Sequence, residues 1–385
     1  MNKMRSIVTG VLILFLILAG CAPAGATDVQ PPALVGIDAA IDPEFSRAAG
    51  PVEIVFPRDH GPHPDYLTEW WYYTGNLETA EGRHFGYQLT FFRRAMLPAE
   101  QRWQRTSDWA ADQVYMAHFT LTDTQAGEFH PFERFGRGSA GLAGAQAEPG
   151  FRVWLEDWSV EQVGDDEYHL AATAGDLSLD LLLSDQKGPV LQGDEGYSLK
   201  GAEPGNASYY ISQTRLETSG TVTVGGSDHA VRGASWMDHE YSTSALGPGL
   251  VGWDWFSIQL DDETELMLFT LRREDGEIDP FSSGTVISAD GSTRPLDRDD
   301  FAVTVTATWR SPHSGAEYPA GWRIEIPSEN LTLTVSPRLA DQELNLSFVY
   351  WEGAVQVRGA RDGQAVAGSG YIELTGYAES MQGQF

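Results

Sequence analysis

GASWMDHEYSTSALGPGLVGWDWFSIQLDDETELMLFTLRR, residues 233–273, carries two clusters in which acids are interleaved with aromatic rings. The first is Trp236-Met237-Asp238-His239-Glu240-Tyr241 and the second is Trp253-Asp254-Trp255-Phe256. A Gly/Pro/Ser turn, residues 242–249, separates them. A chain that needed only a core would not mix acids, a histidine and large rings this way. The stretch is expected to build one wall of an apolar pocket holding a few proton-transfer groups. In an extended segment, successive side chains point to opposite faces. Asp238 and Glu240 then share one face, and His239 takes the other with Met237 and Tyr241. Asp254 points away from Trp253 and Trp255.

The second cluster has a counterpart upstream. Aligning Leu77 with Leu260 places Trp70-Trp71-Tyr72-Tyr73 on Trp253-Asp254-Trp255-Phe256. Both segments then run through a polar turn into a second strand, ending FFRR at 91–94 and TLRR at 270–273. The second hairpin is shorter, a difference a turn absorbs easily. This internal repeat implies duplicated domains, joined near residues 225–233. Elsewhere, short runs rich in Val, Thr, Tyr, Phe and Trp are broken by Gly, Asn and Asp, as in 85–92, 114–121, 177–183, 301–309 and 331–335. Helical periodicity is nearly absent, with two brief exceptions near 98–103 and 297–300. The expectation is an all-β, antiparallel protein of barrels or sandwiches.

The chain has 385 residues, enough for two ordinary domains. Lys3 and Arg5 precede an apolar run, residues 7–18, that is too short to span a bilayer. Leu18-Ala19-Gly20-Cys21 resembles a bacterial lipobox, in which the Cys is acylated after cleavage before it. Cys21 is the only cysteine, so the mature chain has no thiol left for a disulfide. The expected organisation is a lipoprotein signal peptide (1–20), a flexible tether (21–50) and two domains (51–228 and 229–385). Lipid on Cys21 would hold the protein to a membrane face of the cell envelope. Ala22 rather than Asp after the cysteine resembles outer-membrane sorting, on the periplasmic side. The formal charge is −30, and removing residues 1–20 takes two basic residues and no acid with it. Such a surface repels nucleic acid and anionic headgroups, so no nucleic-acid partner is expected.

Three strings carry a family likeness. Glu69-Trp70-Trp71-Tyr72-Tyr73-Thr74-Gly75-Asn76-Leu77 resembles the opening strand of the carotenoid 1,2-hydratase and AttH-like family. Trp236 to Tyr241 resembles its second-domain signature. Residues 350–355 (YWEGAV) and 370–377 (GYIELTGY) resemble its closing strands. The likeness spans about residues 51–377. It implies two lipocalin-like antiparallel β-barrel domains in tandem, and a hydro-lyase acting on a carotenoid or a predicted secreted hydrolase. Two positions depart from the family pattern. Tyr241 stands where a Trp is usual, and Gly252 stands where an aromatic residue precedes the second acid, which removes a side chain from the expected pocket.

Adding water to an unactivated alkene requires a strong acid, a stabilised cation and a group that deprotonates water. A carboxyl kept protonated by an apolar site meets the first need, and aromatic faces meet the second. Asp254 is the first candidate proton donor. Its alternative role is an ion pair with an Arg across the duplicated hairpin. His239, Asp238 and Glu240 form the second catalytic group, with His239 positioning water or relaying a proton. The alternative is a polar turn. Glu69, Trp71, Tyr72, Tyr241, Trp253 and Trp255 are the candidate substrate contacts. The aromatic residues among them could equally fill two barrel cores, and Glu69 could be a structural carboxylate paired with an Arg. His60 and His63 have a metal-like spacing, but no second pair completes a set; no metal and no cofactor are expected. Residues 136–141 match G-x-G-x-x-G without a strand-then-helix context, and no G-x-S-x-G is present. Two functions follow: a cofactor-free acid–base enzyme acting on a large isoprenoid or lipid-like molecule, or a carrier handing such a molecule to an export ABC transporter.

Overall fold

The computed structural model describes residues 44–102, 107, 109–244 and 246–382. Cys21, the signal segment and most of the expected tether lie outside the described residues. The described chain forms two antiparallel sheets. The first takes β1 (Thr68–Glu78), β2 (His84–Ala95), β3 (Gln113–Asp123), β4 (Glu128–Arg137), β5 (Ala143–Gln146), β6 (Arg152–Leu155), β7 (Trp158–Gln162), β8 (Glu167–Ala174), β9 (Leu177–Asp185), β10 (Val190–Leu191), β11 (Tyr197–Leu199), β12 (Ala207–Val224) and β13 (Ser227–Ser242). The second takes β14 (Leu250–Leu260), β15 (Glu265–Arg273), β16 (Ser283–Ile287), β17 (Thr293–Leu296), β18 (Ala302–Arg310), β19 (Glu317–Ile326), β20 (Leu331–Pro337), β21 (Glu343–Asn345), β22 (Val349–Arg361) and β23 (Gln364–Leu374). The two brief helical stretches are single 3-10 turns, Ala99–Gln101 and Arg298–Asp300.

Each sheet is a meander that returns to its own first strand. β1 pairs with β2 and β13, and β14 pairs with β15 and β23. A sheet closed in this way curls into a barrel, with a seam between consecutive strands, β4 and β5 in one and β17 and β18 in the other. β6 packs across the first seam onto β2, β3 and β4. These are the two lipocalin-like barrels, and their common order is the duplication that the Leu77–Leu260 alignment implies.

The changeover between sheets lies later than the expected join at 228/229. Gly225 and Gly226 both have positive φ, 58° and 74°. They form the tight turn of a hairpin whose strands, β12 and β13, both belong to the first sheet. The chain leaves that sheet after Ser242 and enters the second at Leu250. The Trp236–Tyr241 cluster is therefore part of the first barrel.

Apolar side chains fill both interiors. Trp71, Tyr73, Phe85, Leu89 and Phe91 belong to the first core, and Phe256, Ile258, Trp322, Trp351 and Ile372 to the second. A third cluster joins the outer faces: Tyr72, Tyr210 and Trp236 from one sheet meet Trp255, Phe269, Ala354 and Tyr371 from the other. The central strands are thus buried on both faces, which is why β1 reads as an unbroken run of large residues. β9, whose outer face meets solvent, shows strict alternation instead. The sheets approach closely at Gly86, where an added Cβ would lie 2.5 Å from the Ala354 methyl.

Gly86→Ala should therefore strain the contact between the sheets and lower stability by about 1–3 kcal/mol. Gly50→Ala, which meets nothing within 4 Å, should stay within about 0.5 kcal/mol. Urea denaturation of the two variants checks this; equal midpoints would contradict it.

Candidate active site

Strand register brings the acid-bearing outer faces together. On the first sheet Tyr72 lies opposite Asp238 and Trp70 opposite Glu240, and β12 sets Ser212 and Tyr210 beside the same two acids. On the second sheet Trp255 has Phe269 on one side and Glu373 on the other, and Trp253 faces Leu271. All of these residues but Ser212, with Phe92 and Lys200, enclose a pocket between the barrels rather than inside either. Its cavity volume is about 80 Å³, several times the roughly 10–15 Å³ one water needs on the same measure.

The pocket carboxyls differ in how they are held. Asp238 is buried, and three donors point at it. The Tyr210 hydroxyl reaches Oδ2 at 2.5 Å, and the Ser212 hydroxyl and Trp236 Nε1 reach Oδ1 at 2.5 and 2.7 Å. Burial pushes this carboxyl up to about 7 despite those bonds, and the Glu240 charge adds to the shift. Glu373 accepts one such bond, from Trp253 Nε1 at 2.6 Å. Burial, reinforced by the charges of Glu240 and Asp238, pushes it up to about 7 as well. Its cross-strand neighbour Glu352 is fully buried and accepts from the Tyr72 hydroxyl at 2.7 Å. Burial and then the Glu373 charge raise Glu352 well above the usual carboxylate range. Lys200 Nζ lies 4.1 Å from the centre of the Phe269 ring and 3.5 Å from Glu240 Oε1. Trp255 Nε1 donates to the Tyr210 oxygen at 2.9 Å.

The residues singled out from sequence fall in three places. Asp238, Glu240, Tyr72, Trp253 and Trp255 line the pocket. Alternation sends His239, Glu69, Trp71 and Tyr241 to the opposite face, at the mouth of the first barrel. There Glu69 is fully buried, bound by Arg93 Nε at 2.8 Å and by His239 Nε2 at 2.8 Å. Burial alone would raise Glu69, but Arg93, His239 and His63 outweigh it and hold the carboxyl well below its usual range. Trp71 stacks on His239, 4.9 Å between ring centres. Asp254 does not face the pocket either. It lies at the second barrel's mouth, held by Arg272 Nε at 2.9 Å and by the Tyr377 hydroxyl. Burial raises it and Arg272 opposes the shift, so it fills the ion-pair role rather than that of proton donor. Gly252 does not widen the pocket, because a Cβ there would meet the Thr375 carbonyl oxygen at 2.5 Å; a close backbone approach requires the glycine.

Sequence reasoning missed Glu373, Glu352, Tyr210 and Lys200. The two glutamates carried a signal, since each is a single acid inside an apolar closing strand, YWEGAV and GYIELT. Nothing local marks Lys200 or Tyr210.

The AttH-like family profile matches residues 47–377. The crystal structure of a putative AttH from Nitrosomonas europaea is 36% identical, covers 86% of this chain and 99% of its own, and superposes with a TM-score of 0.76. That of kievitone hydratase from Nectria haematococca is 16% identical, covers 85% of this chain and 93% of its own, with a TM-score of 0.65, a likeness of fold. Dehydratase asqC from Emericella nidulans is 22% identical over 229 residues, which are 56% of this chain and 63% of that relative's length.

A carboxyl whose pKa is raised on folding contributes stability below its unfolded value, and loses it as pH rises through the folded value. For Glu373 that window runs from about 4 to about 7. In thermal melts, the difference between Glu373→Gln and the parent should shift steadily in the variant's favour between about pH 5 and pH 7 and level off above that. A constant offset would contradict the burial of this charge.

Proposed function

The chain belongs to the AttH-like family, and from that premise we propose that it adds water to, or removes it from, an apolar small molecule bound between the two barrels. The observation that carries this reading is the pair Asp238 and Glu373, both raised to about 7, facing one aromatic pocket. A general acid or base works best with a pKa near the operating pH. Glu373, with one hydrogen-bond donor on one oxygen, is the proton donor to substrate carbon or to a leaving hydroxyl. Asp238, whose two oxygens accept three bonds, is fixed in place by its donors. It acts as base through Tyr210, whose hydroxyl it orients. Positive charge developing on carbon would lie among the faces of Trp70, Trp253 and Trp255, an attraction worth ~2 kcal/mol when desolvated. The hydratase and dehydratase among the relatives support the reaction class.

The same proposal includes lipid anchoring at Cys21 on the periplasmic face of the envelope, supported by the lipobox-like 18–21. A carrier working with an ABC transporter is the second reading, favoured by the predominantly aromatic lining.

The mature protein, incubated with an apolar extract of its host's envelope in heavy-oxygen water, separates the two. Catalysis yields a product carrying one heavy oxygen. Glu373→Gln should lower its formation by about 10²–10⁴-fold while still retaining the ligand, as seen by native mass spectrometry. A carrier would retain the ligand unlabelled in both, and a Glu373→Gln variant as active as its parent would remove Glu373 from the role.

A further inference from the structure

Behind the pocket, on the opposite face of β1 and β13, lies a second cluster that the proposed reaction does not use. His63, Glu69 and His239 each present one ligand atom, and these atoms lie within 4.8 Å of one another. Glu69 Oε1 is 2.9 Å from His63 Nδ1 and 2.8 Å from His239 Nε2. Two nitrogen or oxygen ligands about 2.1 Å from a tetrahedral metal are about 3.4 Å apart, so an ion would spread these contacts by about half an ångström.

We propose that His63, Glu69 and His239 bind one divalent transition-metal ion, of the zinc or ferrous-iron class, at the mouth of the first barrel. Two imidazoles and one carboxylate suit these borderline ions better than calcium or magnesium, which take oxygen ligands. The three side chains are fixed around Glu69, whose two oxygens also accept from the His63 backbone N–H at 3.0 Å, bonds that an ion would partly replace. The His63 ring stacks on Tyr241 with 3.6 Å between centres and 8° between planes, and His239 stacks on Trp71 at 18°. The outer nitrogen of His63, Nε2, faces Asp59 Oδ1 at 3.3 Å, the carboxylate–histidine arrangement that orients metal-bound imidazoles. Asp59 is itself fixed by the Val55 N–H at 2.7 Å and by the Arg58 guanidinium. Glu69 turns its other oxygen, Oε2, to Arg93. That guanidinium weakens the site electrostatically, and the nearby Asp59 charge offsets it in part. Three protein ligands leave coordination positions to water. His63 precedes β1 and His239 is on β13, so the ion ties the 55–67 segment to the closing pair of the barrel. Sequence spacing could not reveal this, because the second histidine comes from the far end of the first sheet.

The test uses the mature chain after dialysis against EDTA. Zn²⁺ and Co²⁺ are titrated in excess Mg²⁺, which occupies surface carboxylates. We expect one ion per chain with a dissociation constant of about 1 μM, a visible Co²⁺ band from nitrogen ligands, and a rise in Tm on adding Zn²⁺. His239→Ala and the partly exposed His63→Gln, each checked by circular dichroism, should weaken binding at least 30-fold and abolish the band. If His239→Ala fails to fold, His63→Gln alone carries the comparison. Parent affinity weaker than about 100 μM, or stoichiometric binding that survives His63→Gln, would overturn the proposal and leave the cluster as a hydrogen-bonded carboxylate–imidazole network.

Discussion

The rest of the structure depends on the outer faces of two barrels being buried against each other. Single lipocalin-like sheets hide one face and wet the other. Here β1, β13, β14 and β23 have no wet face at the middle of the contact. Ionised groups on such a face lose their hydration, and an uncompensated buried charge costs several kcal/mol. The chain meets that constraint in two ways. Behind that contact, at the barrel mouths, a buried acid is ion-paired with an arginine, as in Glu69–Arg93 and Asp254–Arg272. Where no arginine pairs with it, the carboxyl holds its proton more tightly, as in Glu352, Glu373 and Asp238.

Duplication explains the placement of the first group. Arg93 and Arg272 are equivalent positions of the repeated hairpin, the first Arg of FFRR and of TLRR. Each lies at the mouth of its own barrel and neutralises an acid on the neighbouring strand, Glu69 on β1 and Asp254 on β14. The mouths then diverge. The first gathers His63 and His239 around its acid, whereas the second adds the Tyr377 phenol. The pocket belongs to neither repeat alone, since its walls are the outer surfaces of both.

Much of this organisation was legible in the sequence. The repeat, the antiparallel all-β character and the alternation within 236–241 follow from side-chain periodicity and survive in the structure. Alternation also shows that Asp238 and His239 face opposite ways, yet the sequence reading groups them in one site; the structure puts Asp238 in the pocket and His239 beside Glu69. What sequence could not supply was which face is covered by which partner. Asp254 sits between two tryptophans in the sequence, yet those rings line the pocket while the acid between them points to Arg272. Glu373 reaches the pocket only because β23 closes the second barrel beside β14, a pairing between strands more than a hundred residues apart. Likewise, the stretch 225–233 suggests a domain join to within about ten residues, although its Gly-Gly pair is also a hairpin turn. The flanking β12–β13 pairing decides between them.

The account turns on carboxyls that remain partly protonated near neutral pH because each barrel covers the outer face of the other. Carbon-13 labelling of the Asp and Glu side-chain carboxyls, with the Glu373→Gln and Asp238→Asn variants assigning their signals, titrates these groups directly by NMR. The account predicts that both signals change over near pH 7. Midpoints for both groups near the ordinary carboxylate value of about 4 would show that water reaches them, and would contradict it.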